Sequence, residues 1–287
     1  MPYDIHCVAP AKINIGLRVL RGRQDGYHNI ESIFQTIPFY DELTVAPIRG
    51  HGACEVACSG VELPENNTFT RAYHGFCEET GIDASVRVTV EKRIPQGAGL
   101  GGGSSDAASF IRTLDMLFKT EPDTKRSMRI AGKVGSDVFF FLSCGESGGC
   151  ALVTGRGEQI KPIARRADLC FVVICPDVQS GTTDAYRLVD EWYESTSESP
   201  CPSLADLESM YYQPVSEWSF VNSFAAPLIQ QYPLIGEALE DLAKAGAAFT
   251  QMSGSGAAAF GVFESGAAAE QAFLQLKSKW KTVVLAS

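Results

Sequence analysis

Residues 95–106 read Pro-Gln-Gly-Ala-Gly-Leu-Gly-Gly-Gly-Ser-Ser-Asp, with glycine at 97, 99, 101, 102 and 103. So bare a stretch resists regular structure, because glycine loses more conformational freedom on ordering than any other residue. It is therefore read as a loop. Its flanks are patterned. Val86, Val88 and Val90 alternate along 84–92 and predict a strand. Ala107, Ile111, Leu114 and Phe118 recur at helical spacing. The chain is thus held to strand, bare loop, helix, and Ser104, Ser105 and Asp106 are expected to cap the helix start. A helix start carries unpaired N–H groups and the positive end of the dipole. A backbone without Cβ atoms can close around an anion there. A plain flexible turn is the competing reading of the loop, and the ordered flanks favour the phosphate cradle.

The cradle is of neither common type. No lysine follows the glycines as in a P-loop, and no acidic residue stands in a second strand about 20 residues on, as a dinucleotide fold requires. The 287 residues are 45% hydrophobic and 20% charged, which suits one large or two medium globular domains. No run of 18 apolar residues occurs, so no membrane partner is expected. The N-terminus lacks a basic-then-apolar leader, and nine irregularly spaced cysteines suit reduced thiols, so a cytoplasmic protein is expected. Net charge is −10, which argues against nucleic acid as a partner. Phosphate binding must then be local, through N–H groups and a few cations. The oligomeric state is not legible.

Alternating strands fill 1–48, with a loop at Gly22–Gly26. A helix is predicted over 67–80, opened by Asn66/Asn67 and closed by Gly81. A further helix is expected near 124–131, a hairpin over 146–160 turning at Gly155 and Gly157, and a buried strand at 169–175. Residues 191–204 are polar and rich in serine and proline, and read as an exposed loop. Beyond it come a helix over 234–246 with Gly246 as its cap, strands at 247–252 and 257–263, a helix over 266–280 and a last strand at 282–286. The mixture predicts an α+β protein of two domains, 1–162 and 163–287.

Four more segments carry chemistry. In Ala9-Pro10-Ala11-Lys12-Ile13-Asn14-Ile15, Lys12 and Asn14 share one side of a strand. Asp25-Gly26-Tyr27-His28 offers a ring and an imidazole on a turn. Gly135-Ser136-Asp137-Val138 places a carboxylate before an apolar run. Ser253-Gly254-Ser255-Gly256 turns between two strands. Taken singly, these also suit a solvated face, a plain turn, a helix cap and a hairpin loop. Their ordered co-occurrence is harder to place by chance.

In that order, Pro-Ala-Lys-Ile-Asn, Asp-Gly-Tyr-His, Gly-Leu-Gly-Gly-Gly-Ser-Ser, Gly-Ser-Asp-Val and Ser-Gly-Ser-Gly resemble the GHMP kinases along nearly the whole chain. Within them, Asp-Gly-Tyr-His resembles the cytidine-binding branch. The resemblance implies an N-terminal domain like the second domain of ribosomal protein S5 and a ferredoxin-like C-terminal domain, with substrate and ATP meeting in the cleft between them. It implies transfer of phosphate from ATP to the 2-hydroxyl of 4-diphosphocytidyl-2-C-methyl-D-erythritol, giving the 2-phosphate and ADP, in the non-mevalonate route to isoprenoid precursors. By the same resemblance Asp137 is the catalytic carboxylate and Lys12 its partner. Pro95, Gln96, Gly97, Ala98, Gly99, Leu100, Gly101, Gly102, Gly103, Ser104 and Ser105 would wrap the ATP phosphates, and Asn67 and Thr68 would contact the adenosine. Tyr27 and Tyr186 would sandwich the cytosine while His28 reads its edge. Asn14 and Thr182 would lie near the substrate, with Ser253 to Gly256 supporting its far side. Mg²⁺ is expected with ATP, with Ser105 as its protein ligand. Two alternatives stay open: another GHMP kinase of mevalonate or homoserine type, which would not need the stacking rings, and a non-catalytic nucleotide-binding relative, which would not need both Lys12 and Asp137.

Overall fold

The computed structural model describes residues 4–60, 62–144, 148–196 and 202–287. They form two compact units that interleave along the chain. The first takes residues 1–11, 39–94 and 101–148, and the second takes 12–38, 95–100 and 149–287. They interleave because two long strands, β1 (Ile5–Val19) and β2 (Ile30–His51), each run on from one unit into the other.

In the first unit β3 (Cys54–Cys58) pairs parallel with β4 (Ala84–Glu91), and β4 pairs antiparallel with the 42–51 end of β2. Val86, Val88 and Val90 are fully buried while Arg87, Thr89 and Glu91 are exposed, as the alternation predicts. Between β3 and β4 lies α1 (Thr68–Thr80). Asn67 caps it, accepting from Phe69 and Thr70 N–H, and Gly81 closes it in the left-handed region. After β4 come α2 (Gly102–Phe118), α3 (Thr124–Val134) and α4 (Ser136–Cys144). The apolar stripe of α1 meets that of α2: the rings of Phe69 and Phe110 pack edge to face with centroids 5.5 Å apart. Burying each such side chain contributes about 1.5–3 kcal/mol.

In the second unit the 32–35 part of β2 pairs with β5 (Cys150–Thr154), which turns back into β6 (Gln159–Ile163) through the expected glycines. A second sheet is built from β7 (Cys170–Ile174) and later strands. The intervening helices are α5 (Thr182–Ser195), α6 (Leu204–Tyr211), α7 (Ala225–Gln231) and α8 (Pro233–Lys244), with a short 3₁₀ turn at Val215–Glu217. Then come β8 (Phe249–Met252), β9 (Ala259–Phe263), α9 (Gly266–Lys277) and β10 (Val283–Ala286). The strand order is β10-β7-β9-β8, all neighbours antiparallel. Val172, Ile174 and Phe263 of the sheet bury against Leu242 of α8 and Leu276 of α9.

Two expectations need correction. Residues 191–195, read as loop, continue α5, because Ala185, Val189 and Tyr193 form a buried stripe at helical spacing. Residues 197–201 of that segment lie outside the described residues. Helix α8 closes as expected on Gly246, which follows Ala245 in left-handed backbone with a φ of +95° and donates its N–H to Ala243 O at 3.0 Å. The start of α2 is corrected below.

Candidate active site

The glycine-rich loop is held by its carbonyls. In the second unit, the C=O groups of Ala98, Gly99 and Leu100 accept from Ala258 N (3.1 Å), Ser253 Oγ (2.9 Å) and Lys12 N (2.9 Å). Three successive carbonyls are thus turned to protein donors. Gly99 permits this with a φ of +78°, and a Cβ there would run into the Ser253 carbonyl.

In the first unit, α2 begins at Gly102 behind Gly101, whose φ is +72°. Ser104, Ser105 and Asp106 were expected to cap this helix; they lie inside it, and no side chain caps its start. The reason is the left-handed backbone at 101, since side-chain caps need an extended residue at that position. The first-turn N–H groups are left unsealed by any side chain, which is the condition for an anion site.

Beneath this helix start sits a buried charge cluster. Lys92 Nζ bonds Asp106 Oδ2 at 2.8 Å and also Asp41 Oδ2. Asp41 Oδ1 accepts from Arg93 N (2.6 Å) and Ile94 N (2.8 Å), at the entry to the loop. Burial pushes the Asp106 carboxyl up to about 7, against the pull of Lys92 and with the charge of Asp41 adding to the rise. Gly102 makes room for the cluster: a Cβ there would stand 3.2 Å from Lys92 Nζ. Sequence reasoning missed Lys92 and Asp41 and read Asp106 as a helix cap, since a lysine at a strand end carries no signal of burial.

Lys12 and Asn14 do share one side of β1, and that side is buried, not solvated: they are 3% and 1% exposed. Lys12 Nζ donates to Asn14 Oδ1 at 2.7 Å and stands 4.7 Å above the Phe34 ring. Asn14 Nδ2 donates to Ser32 Oγ, and Asn14 N donates to Ser253 Oγ at 3.3 Å. Since Ser253 Oγ donates onward to Gly99 O, a continuous path of bonds joins the glycine loop to the Lys12 ammonium. Ser32 was not expected in this network. It lies 18 residues from Asn14 and only strand pairing brings it near.

The two expected stacking rings each have neighbours of their own. Tyr27 is 50% exposed, and the Arg156 guanidinium lies 3.6 Å from its ring centroid. Tyr186 stacks on His28, with centroids 4.9 Å apart and planes at 25°, and meets Phe224 edge-on at 4.9 Å. His28 Nε2 lies 2.8 Å from Asp190 Oδ1. Thr182 opens α5 with its hydroxyl 3.3 Å from Ser255 Oγ. Asp190 and Arg156 were not anticipated. The first follows Tyr186 by one helical turn, a spacing that becomes informative once α5 is known to extend past 191.

In the first unit, Asn67 spends its side chain on structure: Oδ1 caps α1 and Nδ2 donates to Pro64 O at 2.9 Å. Thr68 is the first residue of α1. Beside them opens a cleft of about 540 Å³ lined by Cys54, Val56, Cys58, Leu63, Pro64 and Asn67 among others. Burial pushes the Cys54 thiol up to about 12, so it lines the cleft as a neutral group. Asp137 is half-buried in the first turn of α4, where the helix dipole favours a carboxylate. It is the second helical residue and so not the cap. Ser105 Oγ is buried and has no hydrogen-bond partner. Among the described residues no group of three His, Cys, Asp or Glu side chains could hold a metal ion.

Known proteins resemble this chain throughout. Residues 67–145 match the GHMP kinases N terminal domain and 206–282 match the GHMP kinases C terminal domain. The 4-diphosphocytidyl-2-C-methyl-D-erythritol kinase of Treponema pallidum is 39% identical over 278 residues, covering 95% of this chain and 94% of its own. That of Prosthecochloris aestuarii is 36% identical, covering 97% and 96%. A crystal structure of 4-(cytidine 5'-diphospho)-2C-methyl-D-erythritol kinase superposes with a TM-score of 0.80 at 32% identity, covering 98% of both chains. Homoserine kinase from Cytophaga hutchinsonii shares the fold alone, with a TM-score of 0.65 at 17% identity over 99% and 94% of the two chains. With an unsealed helix start behind a tied glycine loop, and relatives matched from end to end, the chain belongs to the GHMP kinases, in the family of 4-diphosphocytidyl-2-C-methyl-D-erythritol kinases.

Proposed function

We propose that this protein transfers the γ-phosphoryl group of ATP to the 2-hydroxyl of 4-diphosphocytidyl-2-C-methyl-D-erythritol, releasing the 2-phosphate and ADP. The reaction is a step of the non-mevalonate route to isoprenoid precursors, and its place is the cytoplasm. The observation that carries the reading is the loop at 95–105. Its carbonyls at 98–100 are tied to protein donors, and the helix it opens has no side-chain cap. What such a backbone offers an incoming phosphate is N–H groups and the positive end of a helix. The cleft beside Asn67 and Thr68 has room for a purine base: Val56, Leu63 and Pro64 offer it apolar surface, and Glu62 and Glu65 offer acceptors for an amino group.

Phosphoryl transfer asks mainly for positioning and electrostatics. In this reading Asp137 takes or orients the proton of the attacking hydroxyl. Lys12, held by Asn14, steadies charge developing on the transferring group. Tyr27 offers the cytosine the ring face that Arg156 leaves open, and His28 meets the base edge. Thr182 lies near the substrate, beside the Ser253 to Gly256 turn. Mg²⁺ accompanies ATP, and Ser105 Oγ, with its unspent lone pair, fits as one oxygen ligand. The ion would neutralise charge on the phosphate oxygens.

The test is an ADP-release assay with Mg·ATP and the cytidyl substrate, run beside mevalonate and homoserine. Turnover confined to the cytidyl substrate is expected. Turnover with another alcohol would refute the substrate assignment, and no turnover by folded, ATP-binding protein would refute the catalytic one.

A further inference from the structure

Tyr186 and Asp190 are four residues apart on α5 and so share one face of it. Both engage the same imidazole. Tyr186 covers the face of His28, and Asp190 Oδ1 holds its Nε2 edge at 2.8 Å. Behind that edge runs Gly22, where a Cβ would come within 3.4 Å of Nε2. The ring is held on face and edge, and only 8% of the side chain is exposed. An ionised carboxylate accepts hydrogen bonds and donates none, so the hydrogen in this contact sits on Nε2. A neutral imidazole has one N–H, which leaves Nδ1 as a bare lone pair. Among the described residues, the hydrogen bond of the imidazole is the one at Nε2.

We propose that Asp190 sets the base preference of the substrate subsite: by keeping the hydrogen of His28 on Nε2, it leaves Nδ1 to accept from the amino group of cytosine and to repel the corresponding carbonyl of uracil. The inference rests on the reading above, that a cytidyl group lies beside Tyr27 and His28. Asp190 acts through His28 and touches no base, so it is a positioning residue. It sits on the outer surface of its helix with half its side chain exposed, which makes it a tolerant site for substitution.

The experiment measures kcat/KM for 4-diphosphocytidyl-2-C-methyl-D-erythritol and its uridyl counterpart, in the wild type and in Asp190→Asn. The amide of asparagine can donate as well as accept, so it no longer dictates the tautomer. The ¹⁵N spectrum of His28 in the wild type at about pH 8 reads the tautomer directly and needs no variant. The wild type is expected to prefer the cytidyl compound by about 100-fold or more. In Asp190→Asn the preference falls to within about tenfold through KM, while kcat and the KM for ATP stay within about threefold. The spectrum places the hydrogen on Nε2. An unchanged preference in Asp190→Asn, or a hydrogen on Nδ1, overturns the proposal. A wild type that uses both compounds equally overturns it alone, and one that uses neither overturns the functional reading with it.

Discussion

Gly97 and Gly99 both adopt left-handed backbone, with φ of +67° and +78°, but a methyl group would meet different surroundings at the two. At 97 nothing stands within 4 Å of a built Cβ; at 99 it would strike the Ser253 carbonyl. Alanine in the left-handed region costs about 1–2 kcal/mol at either position. At 99 there is a second cost, because Ser253 cannot easily retreat. Its N–H bonds Ala258 O at 2.8 Å, its C=O accepts from Gly256 N at 3.0 Å, and its hydroxyl bonds Gly99 itself. Overpacking against a fixed backbone adds about 1–3 kcal/mol. Gly97→Ala should therefore lose about 1–2 kcal/mol and Gly99→Ala about 2–5 kcal/mol. In calorimetry of the full chain the two variants should differ in Tm by roughly 2–10 °C, Gly99→Ala being the lower. Both positions belong to one compact unit, so one transition reports on both. Equal melting temperatures, or a lower one for Gly97→Ala, would refute the close approach of loop and turn.

Asp137→Asn keeps the side chain's size and removes its basicity, so kcat should fall by about 10²–10⁴ with the KM for ATP within about threefold. Initial-rate kinetics decide this, and a near-normal kcat removes Asp137 from proton transfer. Asn14→Ala takes away the acceptor of Lys12 Nζ and the donor to Ser32 Oγ, both inside the protein. It should cost about 1–3 kcal/mol, read as a lower urea midpoint at unchanged slope, and a loss below about 0.5 kcal/mol would mean the network is slack. Asp106 gives a pH dependence whose sign is fixed. Its folded value near 7 lies above the ordinary 3.8, so the folded state keeps a proton that the unfolded state releases. The contribution of this carboxyl to stability is full below 3.8 and falls as pH rises toward 7. Asp106→Asn lacks that fall, so the Tm of the variant minus that of wild type should grow between these limits. Parallel melting profiles across that range would contradict the buried, protonated carboxyl.

The elements that were legible in the sequence are those whose signals are local. Asn67 and Gly81 bracket α1 because a cap and a left-handed stop act within one turn of the residue that makes them. The alternation of Val86, Val88 and Val90 needs no partner to be recognised. Strand β3 escaped notice since five residues with two cysteines mean little until β4 pairs with them. The end of α5 was hidden by polar residues surrounding Tyr193, whose hydroxyl bonds Val19 O at 2.9 Å from 174 positions away. At the site, motifs gave residue types and order, and the fold decided their state. Lys12 is buried because Asn14 and Phe34 receive it, and Tyr186 faces His28 because Asp190 holds that ring in place.

The interleaving of the two units bears on how the chain is made. The first unit needs nothing beyond residue 148, whereas the second takes its opening segment from residues 12–38 and its remainder from as far as 287. The bond from Asn14 N to Ser253 Oγ spans 239 positions. At translation rates of 5–20 residues per second, Asn14 waits roughly 12–50 s for that partner to be synthesised. Throughout that interval Asn14 N remains without Ser253, although Ser32 and Phe34 are already made, so the second unit is completed only late in synthesis. Truncated chains ending before residue 253 should accordingly expose this strand to proteases, however complete their first unit has become.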